Sequence, residues 1–170
     1  MSSETCIIFI DDPDLWIKAQ QSTASGNGHM SKLQDSHCDS YLPINVGKLV
    51  ERLRSKDRTR GSLFLYGSRP SPNDSVWKVF ENKQFKTNIY DYTHGGEENE
   101  VNNSTSVDIT VEAVELHIEA EIRAKHFNDL EAAEKKDKTI FIILTGDRNI
   151  MPAIKCVLEC NIRVELWGWK

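Results

Sequence analysis

Long hydrophobic runs are missing from this chain of 170 residues. No apolar stretch approaches the roughly 18 residues of a membrane span. The first residues also lack a signal peptide's basic and apolar regions. Cysteine is sparse: Cys6, Cys38, Cys156 and Cys160 form no CxxC spacing and no paired framework. That argues against a disulfide scaffold, and the expectation is a cytoplasmic or nuclear protein with reduced thiols. Neither a P-loop nor GxGxxG is present, so a nucleotide cofactor has no support. Positive charge is in the minority too. With 21 Lys and Arg against 26 Asp and Glu, the formal net charge is -5. Any contact with nucleic acid or an anionic membrane must then come from a local basic patch.

What is present is an ordinary globular mixture, 39% hydrophobic and 28% charged, long enough for one domain with a real core. Five short apolar runs read as buried strands: Cys6–Ile10, Ser62–Tyr66, Thr87–Tyr92, Thr139–Leu144 and Arg163–Trp167. Helical patterns separate them. Residues 45–57 place Val46, Leu49, Val50 and Leu53 on one face. Residues 71–82 start a second helix, with Asn73 or Asp74 placed to cap it. Val107 to about Lys135 is one long helical pattern, and Met151–Glu159 a shorter one whose Pro152 suits a first turn. Strands alternating with helices predict an α/β fold, a three-layer sandwich around a mainly parallel sheet. Two polar stretches interrupt the rhythm: residues 20–44, read as a flexible insertion, and residues 94–106, read as a loop. The chain stops at "ELWGWK", directly after the last strand, as a domain cut from a longer protein would.

In an open parallel sheet, ligands bind outside the carboxyl ends of the strands. Asp11, Asp12 and Asp14 follow the first strand, Asp147 follows the fourth, and Asp108 opens the long helix pattern. Carboxylates brought to one edge repel one another unless a cation or proton relieves them. Hard oxygen ligands suit Mg2+ or Mn2+, and such an ion can activate water toward a phosphodiester. The competing account is capping: Asp and Asn are common helix caps, and each acid taken singly is more often a cap than a ligand. Asp108, Glu112, Glu115 and Glu119 share one helical stripe. Asp108 and Glu112, expected within the first turn or so, are the two that can reach the strand ends. These patterns leave metal site and capping both open.

"IIFIDDPDLW", "LYGSRPSPNDSVWKVFENKQFKTNIYDY", "SVDITVEAV" and "IFIILTGDRNIMPAIKCVLECNIRVELWGW" resemble, in that order, the NYN domain of the PIN-like ribonuclease superfamily (LabA-type branch). The resemblance covers nearly the whole chain except residues 20–44 and 94–104. It implies a Rossmann-like PIN fold and divalent-metal-dependent hydrolysis of single-stranded RNA, with Mg2+ or Mn2+ as cofactor. Carried over by position, Asp11, Asp108 and Asp147 match the family's catalytic and metal-binding acids. Asp14 stands where that family usually has asparagine, and Asn149 where it has a further aspartate. The lysine common three residues before the helix acid is here Thr105. Asn149 keeps an oxygen ligand but removes a charge, which weakens a metal site, and Asp14 can return one. The metal set implied is Asp11, Asp108, Asp147, Asn149, Asp14 and Glu112. An RNA-cleaving enzyme and a weak or inactive RNA-binding relative both fit, and a homodimer is left open.

A lesser resemblance is to haloacid-dehalogenase phosphatases, with Asp12 and Asp14 as D-x-D and "GDRN" as a later motif. Trp16 stands where that family carries Thr or Val. For RNA contacts, Ser68 and Arg69 follow the second strand. Arg52, Arg54, Lys56, Arg58 and Arg60 form a basic stretch that can neutralise phosphates or be a solvated face. Trp77, Cys156 and Cys160 read as core, and His94 and His117 as surface residues.

Overall fold

In the computed structural model, which describes residues 4–11, 45–55, 57–68, 75–90 and 99–168, the first apolar run forms β1 (Thr5–Asp11). It pairs in parallel with β2 (Thr59–Ser68) on one side and β4 (Thr139–Leu144) on the other. Outside them lie β3 (Lys86–Tyr90) and β5 (Arg163–Trp167), also parallel. The strand order is β3-β2-β1-β4-β5. The two inner runs with the most continuous apolar sequence, IIFI and IFIIL, are central because a parallel sheet covered on both faces buries both sides of its middle strands. β5, at an edge, keeps exposed residues along its length.

Period-two alternation distributes these side chains into two cores. On one face Cys6, Ile8, Ile10, Leu63, Leu65, Ile140, Ile142 and Leu144 pack against α1 (Val46–Arg54) and α2 (Ser75–Glu81). On the other, Ile7, Phe9, Phe64, Tyr66, Phe141 and Ile143 pack against α3 (Asn99–Phe127) and α5 (Met151–Glu159). Phe9 is the centre of that second core, stacked on Phe64 at 4.9 Å and tilted against Phe141 at 5.2 Å. A fourth helix, α4 (Glu131–Asp137), packs beside α3. The expected three-layer α/β architecture, with a Rossmann-like strand order, is what the chain forms.

Two features hold the amino edge of the sheet. Gly61 is required where β1 and β2 shift register: a Cβ there would lie 2.9 Å from the Cys6 carbonyl oxygen and 3.0 Å from Thr5 Cγ2. Arg58 donates to Glu4 Oε2 at 3.1 Å and to Glu165 Oε1 at 2.5 Å, while Arg163 reaches the other Glu4 oxygen at 2.6 Å. Residues leading into β1 and β2 are thereby tied to β5.

The helix boundaries correct the sequence pattern in three places, the first being α1, read as 45–57, which ends at Arg54 where Ser55 takes a φ of 62°. The expected continuous helix to Lys135 ends at Phe127, because Asn128 adopts a left-handed backbone (φ 50°) and Asp129 Oδ1 accepts from the Glu131 amide to start α4. Asparagine tolerates that conformation better than most residues. At its other end α3 begins at Asn99, so the polar residues 99–106 read as loop are helical. Asn45 caps α1 through the Lys48 amide at 3.0 Å. The expected caps Asn73 and Asp74, and the insertion at 20–44, lie outside the described residues.

Candidate functional site

The chain runs outward from β1 to β2 and β3, then crosses back to lay β4 and β5 on the other side. The order therefore reverses between β1 and β4, and the crevice at their carboxyl ends is where such sheets bind ligands. Asp11 is the last residue of β1 and is 7% exposed. Two positions after Phe9, it takes the face of α3 and α5. Thr145, immediately after β4 and also buried, donates its hydroxyl to Asp11 Oδ2 at 3.3 Å. The same hydroxyl accepts from the Asp147 amide at 3.0 Å, and Asp147 Oδ1 accepts from the Asn149 amide at 2.9 Å. Asp11, Thr145, Asp147 and Asn149 are thus joined in one chain of bonds across the crevice.

Strand register extends this chain sideways. Asp11 pairs with Tyr66 on β2, and Tyr66 pairs with Asn88 on β3. With strands about 4.8 Å apart, Asp11 and Asn88 lie roughly 10 Å from each other along one row. The Asn88 amide donates to Asp108 Oδ2 at 3.3 Å, which brings the α3 acid to the same row. One layer below, Phe9 and Phe64 close the floor, and Lys86 lies 5.0 Å over the Phe64 ring. The row is a polar rim on an apolar core. β1 and β4 meet it at their carboxyl ends, β2 and β3 two residues short of theirs.

Asp108 arrives there differently from the expectation. It is the tenth residue of α3, roughly 13 Å along the axis from Asn99, so the helix dipole's first turn does not serve it. Glu112, one turn further and half-buried, has its carboxyl pushed above the ordinary value. Burial is the main cause; Lys86 opposes it, Glu115 adds to it, Lys135 opposes it and Asp108 adds a little. Asp147 does cap the short 3-10 turn Arg148–Ile150 that leads into α5, so capping is part of its role. Asn149 is exposed. Asp12, Asp14, Lys56, Arg69 and His94 lie outside the described residues, as do the side chains of Ser68 and Trp77. Ser68 ends β2 at this same edge.

The basic stretch goes elsewhere. α1 runs into β2 at its amino end, so Arg52 and Arg54 sit at the opposite end of the sheet from Asp11. Arg58 is held by Glu4 and Glu165, and Arg60 donates to the Lys83 carbonyl and to Gln84 Oε1. The structure does not bring Arg52 together with the acids. Cys160 is buried and Cys156 packs beside the same core. His117 is half-buried, with Nε2 3.4 Å from Glu121.

Thr145 and Asn88 carry weight here that the sequence pattern did not assign to them. Thr145, two residues before Asp147, fits a hydroxyl turn signal. Asn88 is a polar residue at the inward parity of a short strand, legible only once the register with Tyr66 is known.

Among the described residues, no group of three or more His, Cys, Asp or Glu is gathered closely enough to hold a metal ion by itself. No helix among them is long and apolar enough to cross a membrane. The fold and the edge define an α/β protein with a polar crevice at its strand-order reversal. Compared with family models, curated proteins and solved structures, the chain matches none.

Proposed function

We propose that the crevice between β1 and β4 binds a divalent cation, Mg2+ or Mn2+, and with it the phosphodiester of single-stranded RNA, which it hydrolyses. The observation that carries this reading is Asp11, a buried carboxylate at the strand-order reversal, steadied by the Thr145 hydroxyl at 3.3 Å. A carboxylate at the end of a central strand is a hard oxygen donor, and a hard cation is a ligand of matching chemistry. The resemblance of the motif order to NYN domains supports the same ligand class.

The residues present fit such an ion. Mg2+ is commonly held by one or two carboxylates, with waters and substrate phosphate completing its shell, so no cage of protein ligands is needed. The bonds to Asp11 Oδ2, Asp108 Oδ2 and Asp147 Oδ1 orient these carboxylates as outer partners orient metal ligands. Asp11 and Asp147 would hold the ion, with Asn149 next in the chain of bonds and Asp108 further along the row, at Asn88. When bound, the ion supplies an activated water and offsets charge on the phosphoryl oxygens. Asp11 and Thr145 fix the position of the site. Glu112, one turn beyond Asp108 on α3, has its carboxyl raised chiefly by burial.

Capping of the Asn149 amide by Asp147 favours a second reading, an RNA-binding relative without cleavage. Labelled single-stranded RNA incubated with Mn2+, with and without chelator, separates the two. Cleavage that chelator stops, and that Asp11→Asn lowers by roughly a hundredfold or more, supports the enzyme. Intact RNA that is nonetheless retained supports the binding module. If RNA is ignored while a phosphate monoester is hydrolysed, the phosphatase reading replaces both.

A further inference from the structure

α3 is apolar on two opposite sides. Ile109, Ala113 and Ala120 face inward and are buried. Outward stand Val107, Val111, Ile118 and Ile122, exposed by 55%, 46%, 47% and 47%, with Val114 half-buried beside them. The outward side chains are bulkier than the inward alanines, and their spacing keeps them on one stripe. β-branched residues are mediocre helix formers, so local helix stability does not account for them. Exposed charges rim the stripe: Glu115 on one side, Glu121 on the other, 3.4 Å from His117 Nε2, and Lys125 about one turn beyond Ile122. Glu119 is engaged by Arg123 and Lys135, and Arg123 also by Asp129.

We infer that the outward stripe of α3, Val107 to Ile122, docks a basic amphipathic helix of a partner protein. The partner's apolar residues at i, i+3, i+4 and i+7 would lie on the valines and isoleucines, and its Lys or Arg flanks on Glu115 and Glu121. Charge decides against the other occupants. A second copy would set the same acidic rim against itself, whether the two helices ran parallel or antiparallel. Anionic lipid and RNA are repelled for the same reason. Area agrees: the four exposed side chains offer on the order of 300 Å2, against roughly 800 Å2 per partner in a stable standard interface. That is too little for a stable dimer and fits the weak, transient docking of one helix.

The test uses a synthetic Leu/Lys peptide of about 18 residues, five helical turns, patterned for one apolar face. A scrambled peptide of the same composition and a Leu/Glu version serve as comparisons. Amide shifts of the labelled protein should map to residues 107–122, with affinity falling as salt rises. Val111→Gln with Ile118→Gln, whose helix content circular dichroism checks, should weaken binding by about tenfold or more. Glu115→Gln with Glu121→Gln should weaken it as well. Shifts elsewhere, equal binding by the Val111→Gln/Ile118→Gln protein, or equal binding of the scrambled or Leu/Glu peptide would overturn the proposal. So would self-association in sedimentation that the glutamine pair abolishes, which would give the stripe to a second copy.

Discussion

The Thr145 hydroxyl donates to Asp11 Oδ2 at 3.3 Å, across the crevice where the strand order reverses. The two residues are 134 positions apart, yet the same hydroxyl also holds the Asp147 amide. One side chain thereby sets the geometry of both acids. Thr145→Val keeps the shape and removes both bonds. Its expected cost is about 1–3 kcal/mol in urea unfolding, since a buried carboxylate and an amide each lose one hydrogen bond. On the proposed function, cleavage should fall by about 10- to 100-fold, as for other outer partners of metal ligands. Unchanged stability would show that the bond does not order the crevice.

Gly61 faces a backbone atom, which cannot swing away. Gly61→Ala puts a Cβ 2.9 Å from the Cys6 carbonyl, so β1 and β2 must part at their register shift. The expected loss is about 1–3 kcal/mol, read as a lower urea midpoint. A midpoint equal to wild type would mean the strands separate there at no cost.

Arg58 ties Glu4 to Glu165. Its bond holds the Glu165 carboxyl below the usual range, and Arg163 and Arg58 do the same for Glu4. A depressed carboxylate stabilises the fold above the ordinary 4.5 and ceases to as pH falls through its folded value. Arg58→Met should therefore cost about 1–2 kcal/mol at pH 7, discounted because the glutamates are partly solvated. The gap to wild type should narrow below pH 4.5. A gap independent of pH would assign the effect to packing of the arginine stem.

Glu112 has the opposite sign. Its folded value is raised, chiefly by burial, so it contributes stability below the ordinary 4.5 that is lost as pH rises through the folded value. At pH 7 its ionised form is a small burden. Glu112→Gln should raise stability there by under about 1 kcal/mol, a gain that disappears in acid, where the wild-type carboxyl is also neutral. A loss at pH 7 would show that the carboxylate has a stabilising partner.

Much of this is legible in the sequence. The apolar runs of β4 and β5 and the helix at Met151–Glu159 coincide with the observed elements, because length, period and flanking turn residues all agree there. Asp11 and Asp147 were readable as strand-end acids for the same reason. The break at Asn128 was hidden, since apolar periodicity continues through it and only the backbone sign at one asparagine ends the helix. The start of α3 was hidden by its polar first turns. Asn88 and Thr145 depend on which strands are neighbours, and no local pattern carries that. The basic stretch misled because charge spacing on α1 does not say which end of the sheet it will face.

The most direct test of the crevice as a cation site is paramagnetic broadening by Mn2+ of assigned amide signals. Broadening should begin at Asp11 and residues 145–149, extend to Asn88 and Asp108, and weaken markedly in Asp11→Asn. Broadening spread evenly over exposed acids such as Glu115 and Glu121, or unchanged by Asp11→Asn, would contradict the account.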